Sequence, residues 1–231
     1  MMNLILNIDT AGENAAVSLS AGEKGLAFRV NNRQQDHATW LHPAIQELCK
    51  ETGHTLRELN AVAVSNGPGS YTGLRVGLAA AKGLCYAGNL PLITLSTLQI
   101  MAATALADLG LEKVKGKWLC PMIDARREEV YYALYDQSLN IIHPPSALIL
   151  QSHSFSEAVQ QEAILFFGNG SPKFKTIISG NDVLFANPDL GKCVEIMPHL
   201  SNLSFQQKKF ASLSLAEPFY IKEFYFAGRK D

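Results

Sequence analysis

The sequence predicts a mixed α/β protein, and a strand meander followed by alternating helices and strands, met a second time, suggests a duplicated fold that periodicity alone does not fix. Short apolar, β-branched runs bounded by turn residues give the strands. Apolar residues recurring every three or four positions give the helices. From Trp118 onward the strand-like runs begin afresh, so the second half repeats the order of the first.

Leu4 to Asp9, Ala15 to Leu19 and Leu26 to Val30 are the opening strands, separated by Ala11-Gly12-Glu13 and Ala21-Gly22-Glu23, which have hairpin-turn chemistry. Leu41, Ile45 and Leu48 then fall at helical spacing, with Pro43 near the start of that helix, where a proline is tolerated. Ala61 to Ser65 is a buried strand, Leu78 to Ala87 an alanine-rich helical run, and Leu92 to Leu95 another short strand. Ser96 or Thr97 can cap a helix over Leu98 to Leu109. In the second half, Trp118 to Ile123 and Glu129 to Tyr135 read as strands paired around Asp124, and Ala147 to Leu150 as a third. Ala163 to Phe167 is a strand ending in the turn Gly168-Asn169-Gly170. Residues 170–200 show no clear period. A helix near Leu203 to Leu213 and an aromatic tail, Phe219 to Phe226, finish the chain.

Between the Ala61–Ser65 strand and the alanine-rich run stands Gly67-Pro68-Gly69-Ser70-Tyr71-Thr72-Gly73-Leu74-Arg75-Val76-Gly77. A strand, a glycine-rich turn and a helix in that order is how a backbone presents amides and a helix N-terminus to an anion. The glycines are spaced too widely for the dinucleotide fingerprint, and no Gly-Lys-Ser/Thr follows as a P-loop requires. Pro68 also removes an N–H from the turn. Gly67 and Gly69 permit a sharp reversal, while Ser70 or Thr72 can cap the helix. Ser70 has no sequence feature naming a base for it, so it does not read as a nucleophile.

The chain has 231 residues, 47% hydrophobic and 18% charged, enough for one large domain or two small ones with an ordinary water-soluble surface. A net charge of −1 and a pI near 6.6 argue against a protein that grips nucleic-acid phosphates by itself. Lys113-Val114-Lys115-Gly116-Lys117 and Lys208-Lys209 read as solvated loops. Cys49, Cys85, Cys120 and Cys193 are scattered without a CxxC pair, as expected of thiols in a reducing compartment. No run is long and apolar enough to span a membrane, and no secretory leader is recognisable, so a cytoplasmic location is expected.

The glycine segment closely resembles the hallmark of the TsaB (YeaZ) family, usually GPGSFTGLR. Ile5-Leu6-Asn7-Ile8-Asp9-Thr10 resembles that family's opening strand, Ile123-Asp124-Ala125-Arg126-Arg127-Glu128-Glu129-Val130-Tyr131 its DARMGEVY segment, and Glu217-Pro218-Phe219-Tyr220-Ile221 its proline-aromatic tail. The resemblance implies a duplicated ribonuclease-H-like fold of the actin, sugar-kinase and chaperone ATPase superfamily. The implied halves are 1–108, carrying the dimerisation helices, and a reduced half, 109–231. It further implies a non-catalytic scaffold in making threonylcarbamoyladenosine in tRNA, paired with the TsaD transferase and helping to dock the TsaE ATPase. A homodimer is implied where TsaD is absent. ATP and metal would belong to the partner subunits, and tRNA would be met only through the complex.

Asp9 and Thr10 end the first strand where active members of that superfamily meet metal and phosphate, and Asp124 falls at the second such hairpin. The three therefore mark a vestigial nucleotide cleft. Glu13 adds a carboxylate that would repel a triphosphate. Ala125-Arg126-Arg127-Glu128-Glu129 is bulky where active relatives place small residues, so Arg126 and Glu129 read as partner-facing. In the family the glycine helix and the preceding one, about residues 39–51, form the pairing surface. Gly73, Gly77, Ala80, Ala81 and Leu84 would let another helix approach, with Trp40, Leu41, Leu74, Leu78 and Tyr86 as apolar anchors; periodicity alone allows the same stripe to pack inside the monomer. The rival readings are a stand-alone kinase-like nucleotide-binding enzyme and a glycoprotease-like metallopeptidase. The first wants an uncrowded second phosphate hairpin. The second wants a close histidine pair, whereas His37 and His42 stand about 140° apart on a helix.

Overall fold

The structure, a computed structural model, describes residues 2–178 and 183–222. The chain opens with β1 (Leu4–Asp9), β2 (Ala15–Ala21) and β3 (Lys24–Asn31). Next come α1 (His37–Thr52), β4 (Ala61–Gly67), α2 (Tyr71–Gly88), β5 (Leu92–Ser96) and α3 (Thr97–Leu109). A short α4 (Leu111–Val114) leads to β6 (Lys117–Asp124), β7 (Glu129–Tyr135), β8 (Ile141–Ile149), α5 (Ser156–Gln161) and β9 (Ala163–Phe167). The chain closes with α6 (Ser171–Ile177), β10 (Leu184–Phe185) and α7 (Cys193–Gln206).

The duplication is explicit in the sheets. The first has the order β3-β2-β1-β4-β5 and the second the order β8-β7-β6-β9-β10. In each, the first three strands are antiparallel neighbours and the last two add in parallel. This is the ribonuclease-H-like arrangement, twice. β1 and β4 are buried almost throughout, as expected of central strands covered on both faces.

α3 joins the halves. Eight of its thirteen residues are buried, so it is apolar nearly all round and lies between two sheets. Leu98, Met101, Ala102 and Ala105 pack on Leu119, Ala133 and Phe167 of the second sheet. Ile100 and Ala103 face Ile5, Ala63 and Ile93 of the first.

Three sequence expectations change. The last helix is Cys193–Gln206, not 203–213; its buried face is Val194, Met197, Pro198, Leu200 and Ser201, and Lys208 turns the chain at φ 53°. The strand expected at 147–150 begins at Ile141, because β8 is an edge and tolerates Pro144 and Pro145. A division at 108/109 also departs from the packing. Met197 and Leu200 of α7 join Ile5, Ala61 and Ile93, while Leu213 and Ala216 pack beside α1 and α2 on the first core cluster. Of the expected aromatic tail, residues 223–226 lie outside the described residues.

Candidate functional site

β1 and β6 occupy equivalent places, and each ends in an aspartate at the mouth of its hairpin. Asp9 pairs with Ala16 and Asp124 with Val130. Between the hairpins runs a cleft. Its deeper part, about 280 Å³, is lined by Asp9, Thr97, Met101, Ile123, Cys193 and Val194. Its mouth, about 840 Å³, is lined by Gly12, Ser70, Asp124, Arg126, Arg127 and Lys173.

Asp9 Oδ1 accepts from Ser65 Oγ at 2.6 Å and from the Ala11 N–H at 3.0 Å. Burial pushes its carboxyl pKa up, against the lowering effect of those two bonds. Thr97 Oγ1 is buried without a protein partner in the same cavity. Asp124 is more open. Oδ1 accepts from Lys173 Nζ and from the Arg126 N–H, each at 2.6 Å, while its N–H donates to Asn169 Oδ1 at 2.9 Å. Partial burial pushes its pKa up, but the Lys173 ammonium and the Arg126 amide outweigh that and hold it below the usual carboxylate range.

Lys173 was not legible as a site residue. It stands on α6, and its Nζ also donates to Arg127 O at 2.5 Å and Glu129 O at 3.3 Å. The Gly170-Ser171-Pro172 step is the signal that could have placed it, since proline favours the first turn of a helix. Arg126 and Arg127 both sit in the left-handed region, at φ 66° and 51°, with their side chains at the mouth. At the mouth, Asp124, Lys173 and the hairpin carbonyls thus satisfy one another, and the second hairpin lacks the small residues that would bring backbone to phosphate. Among the described residues no three His, Cys, Asp or Glu side chains converge to hold a metal ion.

The glycine loop is spent inside the chain. Ser70 N–H donates to Ala11 O at 2.7 Å, and Ser70 Oγ accepts from Gly73 N–H at 3.3 Å, capping α2. A Cβ on Gly69 would lie 2.4 Å from Ala11 O, on Gly73 2.0 Å from Thr10 O, and on Gly77 2.2 Å from Thr10 Oγ1. Thr10 is fully buried and donates its hydroxyl to Gly73 O at 2.7 Å. It packs β1 against α2 rather than lining the cleft, which corrects its assignment as a nucleotide-facing residue.

The expected pairing residues divide. Leu41, Leu74, Leu78 and Ala81 are buried, as are Gly73 and Gly77, so these six serve the interior. Trp40 is half-buried against the first core, and Tyr86 is 83% exposed. Glu129 is engaged by Lys222 of the same chain. α2 carries a second, open face, to which Ala80 and Leu84 of the expected stripe contribute and whose Val76, Ala79 and Gly83 were not read from the sequence. Val76, Ala79, Gly83 and Leu84 meet Ala38 and His42 of α1 in a groove of about 430 Å³, and a Cβ on Gly83 would meet nothing within 4 Å.

Comparison with known proteins agrees with this architecture. The family model described as TsaD: tRNA N6-adenosine threonylcarbamoyltransferase matches residues 30–224. The tRNA threonylcarbamoyladenosine biosynthesis protein TsaB of Escherichia coli (strain K12) is 32% identical over 235 residues, covering 94% of each chain. Its counterpart in Bacillus subtilis (strain 168) is 27% identical over 223 residues, covering 94% of this chain and 93% of its own. The solved structure of YeaZ from Pseudomonas aeruginosa superposes with a TM-score of 0.77 at 22% identity, over 95% of this chain and all of that one, and shares the fold. By its match to the threonylcarbamoyltransferase model over most of its length and its identity to the Escherichia coli protein, the chain belongs to the TsaB family.

Proposed function

We propose that this chain is a non-catalytic scaffold subunit in the biosynthesis of threonylcarbamoyladenosine in tRNA. It pairs through the α1–α2 groove with the threonylcarbamoyltransferase TsaD and activates it, and it helps to dock the ATPase TsaE. The same groove makes a homodimer where TsaD is absent. ATP and metal are held by the partner subunits, and tRNA meets the chain only through the complex. The relatives' names support the pathway. The observation that carries the pairing is the groove: Val76, Ala79 and Gly83 form a shallow, apolar, uncharged track beside α1. Small residues facing outward on a helix permit close approach of a partner helix, and two such helices make an isologous contact.

The test is size exclusion with light scattering on the chain mixed with TsaD of the same organism, with wild type and Gly83→Arg. Gly83 is the position for the arginine because the fold leaves space there, whereas Gly77 packs on Thr10. A one-to-one complex, lost in Gly83→Arg while thermal unfolding of the isolated chain stays intact, is the expected result. No complex with wild type, or one indifferent to the arginine, refutes the reading.

A further inference from the structure

After α7 the chain returns along the first sheet and crosses the start of α2 to reach the second sheet. Ala211 N–H donates to Leu92 O at 2.8 Å beside β5. Lys82 Nζ, on α2, donates to Ala216 O at 3.0 Å. Phe219 N–H donates to Asn66 O at 2.6 Å, and a Cβ on Gly67 would lie 2.6 Å from Phe219 O. Gly67, at φ 120°, is therefore required by the tail as well as by the turn. Tyr220 stacks on Tyr71 with ring centroids 5.1 Å apart. The Arg75 guanidinium lies 4.2 Å over the Tyr71 ring and donates from Nε to Tyr220 Oη at 3.0 Å. Lys222 Nζ then reaches Glu129 Oε1 at 2.5 Å. Glu129 opens β7 with its side chain mostly buried, while the Lys222 side chain is half exposed.

We infer that residues 216–222 are a latch that fastens the two lobes together beside the mouth of the cleft and links α2 to the β6–β7 hairpin. On the far side the lobes are joined by α3, which packs on both sheets. A connection on one side alone is a hinge. A second connection on the opposite side turns the hinge into a closed frame and fixes the spacing of the Asp9 and Asp124 hairpins. The latch is built from groups that release stepwise: one aromatic stack with its cation, and one ion pair. Arg75 and Lys82 also place it on the helix that carries Val76, Ala79 and Gly83, so a partner seated there bears on the latch. That last link rests on the proposed docking role; the latch itself does not.

Amide hydrogen exchange on the isolated full chain tests it, comparing wild type, Tyr220→Ala, Lys222→Glu, and Lys222→Glu combined with Glu129→Lys. The hairpin has amides to report: Ala125 N–H bonds to Glu129 O and Glu129 N–H to Arg126 O. In both single variants exchange over 125–129 is expected to rise about tenfold, with α7 amides at wild-type rates, and the reversed ion pair is expected to slow the hairpin again. Unchanged hairpin exchange in Lys222→Glu overturns the latch. So does an acceleration that extends equally through α7, or one that the reversed pair does not reduce. Because no partner is present, this outcome is independent of whether TsaD binds.

Discussion

Replacing Gly77 and Gly83 by alanine, one at a time, separates the two faces of α2. At Gly83 the new methyl meets nothing, so the change gains the helix-propensity difference between glycine and alanine, about 1 kcal/mol. At Gly77 the methyl would stand 2.2 Å from Thr10 Oγ1, more than an ångström inside normal contact, and Val64 Cγ2 closes the other side at 3.5 Å. Thr10 has no exposure and is pinned by its 2.7 Å bond to Gly73 O. Relief means breaking that bond, about 1 kcal/mol, and prising β1 from α2, about 1–3 kcal/mol. Set against the same propensity gain, the net loss is about 2 kcal/mol.

For a domain of this length each kcal/mol moves the melting temperature by about 2–4 °C. Thermal unfolding followed by circular dichroism should therefore raise Tm by about 2–4 °C for Gly83→Ala and lower it by about 4–8 °C for Gly77→Ala. Gly73→Ala should cost more than Gly77→Ala, because its methyl meets the Thr10 carbonyl at 2.0 Å, and backbone yields less readily than a hydroxyl rotor. If Gly77→Ala melts with wild type, or shifts in the same direction as Gly83→Ala, the inward packing of the glycine stripe is refuted.

Three further outcomes follow from the cleft and the thiols. Asp9 has a raised pKa from burial, so the folded state favours its protonated form and loses stability as pH rises from its ordinary value of 3.8 through the native one. Asp9→Asn keeps acceptors for Ser65 and Ala11, so its urea midpoint relative to wild type should be higher at pH 7 than at pH 4; the opposite trend refutes the burial argument. Asp124 is depressed, so its contribution is present above the ordinary aspartate range and lost as pH falls through the native value. Lys173→Met should cost about 1–2 kcal/mol at neutral pH, kept small by solvent screening, with the difference shrinking in acid. Burial pushes Cys85 to about 11, Cys193 to about 12 and Cys120 well above its ordinary value. With a thiol reagent at pH 8, half-buried Cys49 should react first, cleft-lining Cys193 more slowly because its pKa is pushed up to about 12, and buried Cys85 and Cys120 only on unfolding.

The first half was legible because its strands are unbroken apolar runs closed by turn residues; Leu4–Asp9 and the end of α3 at Leu109 fall where the pattern puts them. The second half hides its elements. Pro144 and Pro145 read against a strand until the sheet order shows β8 to be an edge, and Pro198 interrupts the sequence pattern of α7 without interrupting its helix. The two aspartates could be read as strand-end carboxylates, but their partners could not. Ser65 lies 56 residues from Asp9 and Lys173 lies 49 from Asp124, and no local period links such positions. The glycine stripe was visible, yet a period of 3.6 gives a stripe without its direction. α2 carries small residues on two faces, and only the position of β1 decides which is inside.

The two hairpins occupy equivalent places in their sheets, and the pKa values of their aspartates are shifted in opposite directions. Asp9 is enclosed and favours its proton, while Asp124 is held ionised by Lys173. A phosphate arriving at the mouth would have to compete with Asp124, Arg127 O and Glu129 O for that ammonium, releasing three acceptors at once. Freed acceptors at a partly buried site cost more than a new surface ion pair returns. The same residues that would have to open for a ligand are those that hold the β6–β7 hairpin in place, and Glu129 in that hairpin also receives Lys222. The hairpin's polar groups thereby join parts of one chain to one another, whereas the α1–α2 groove keeps its apolar face open.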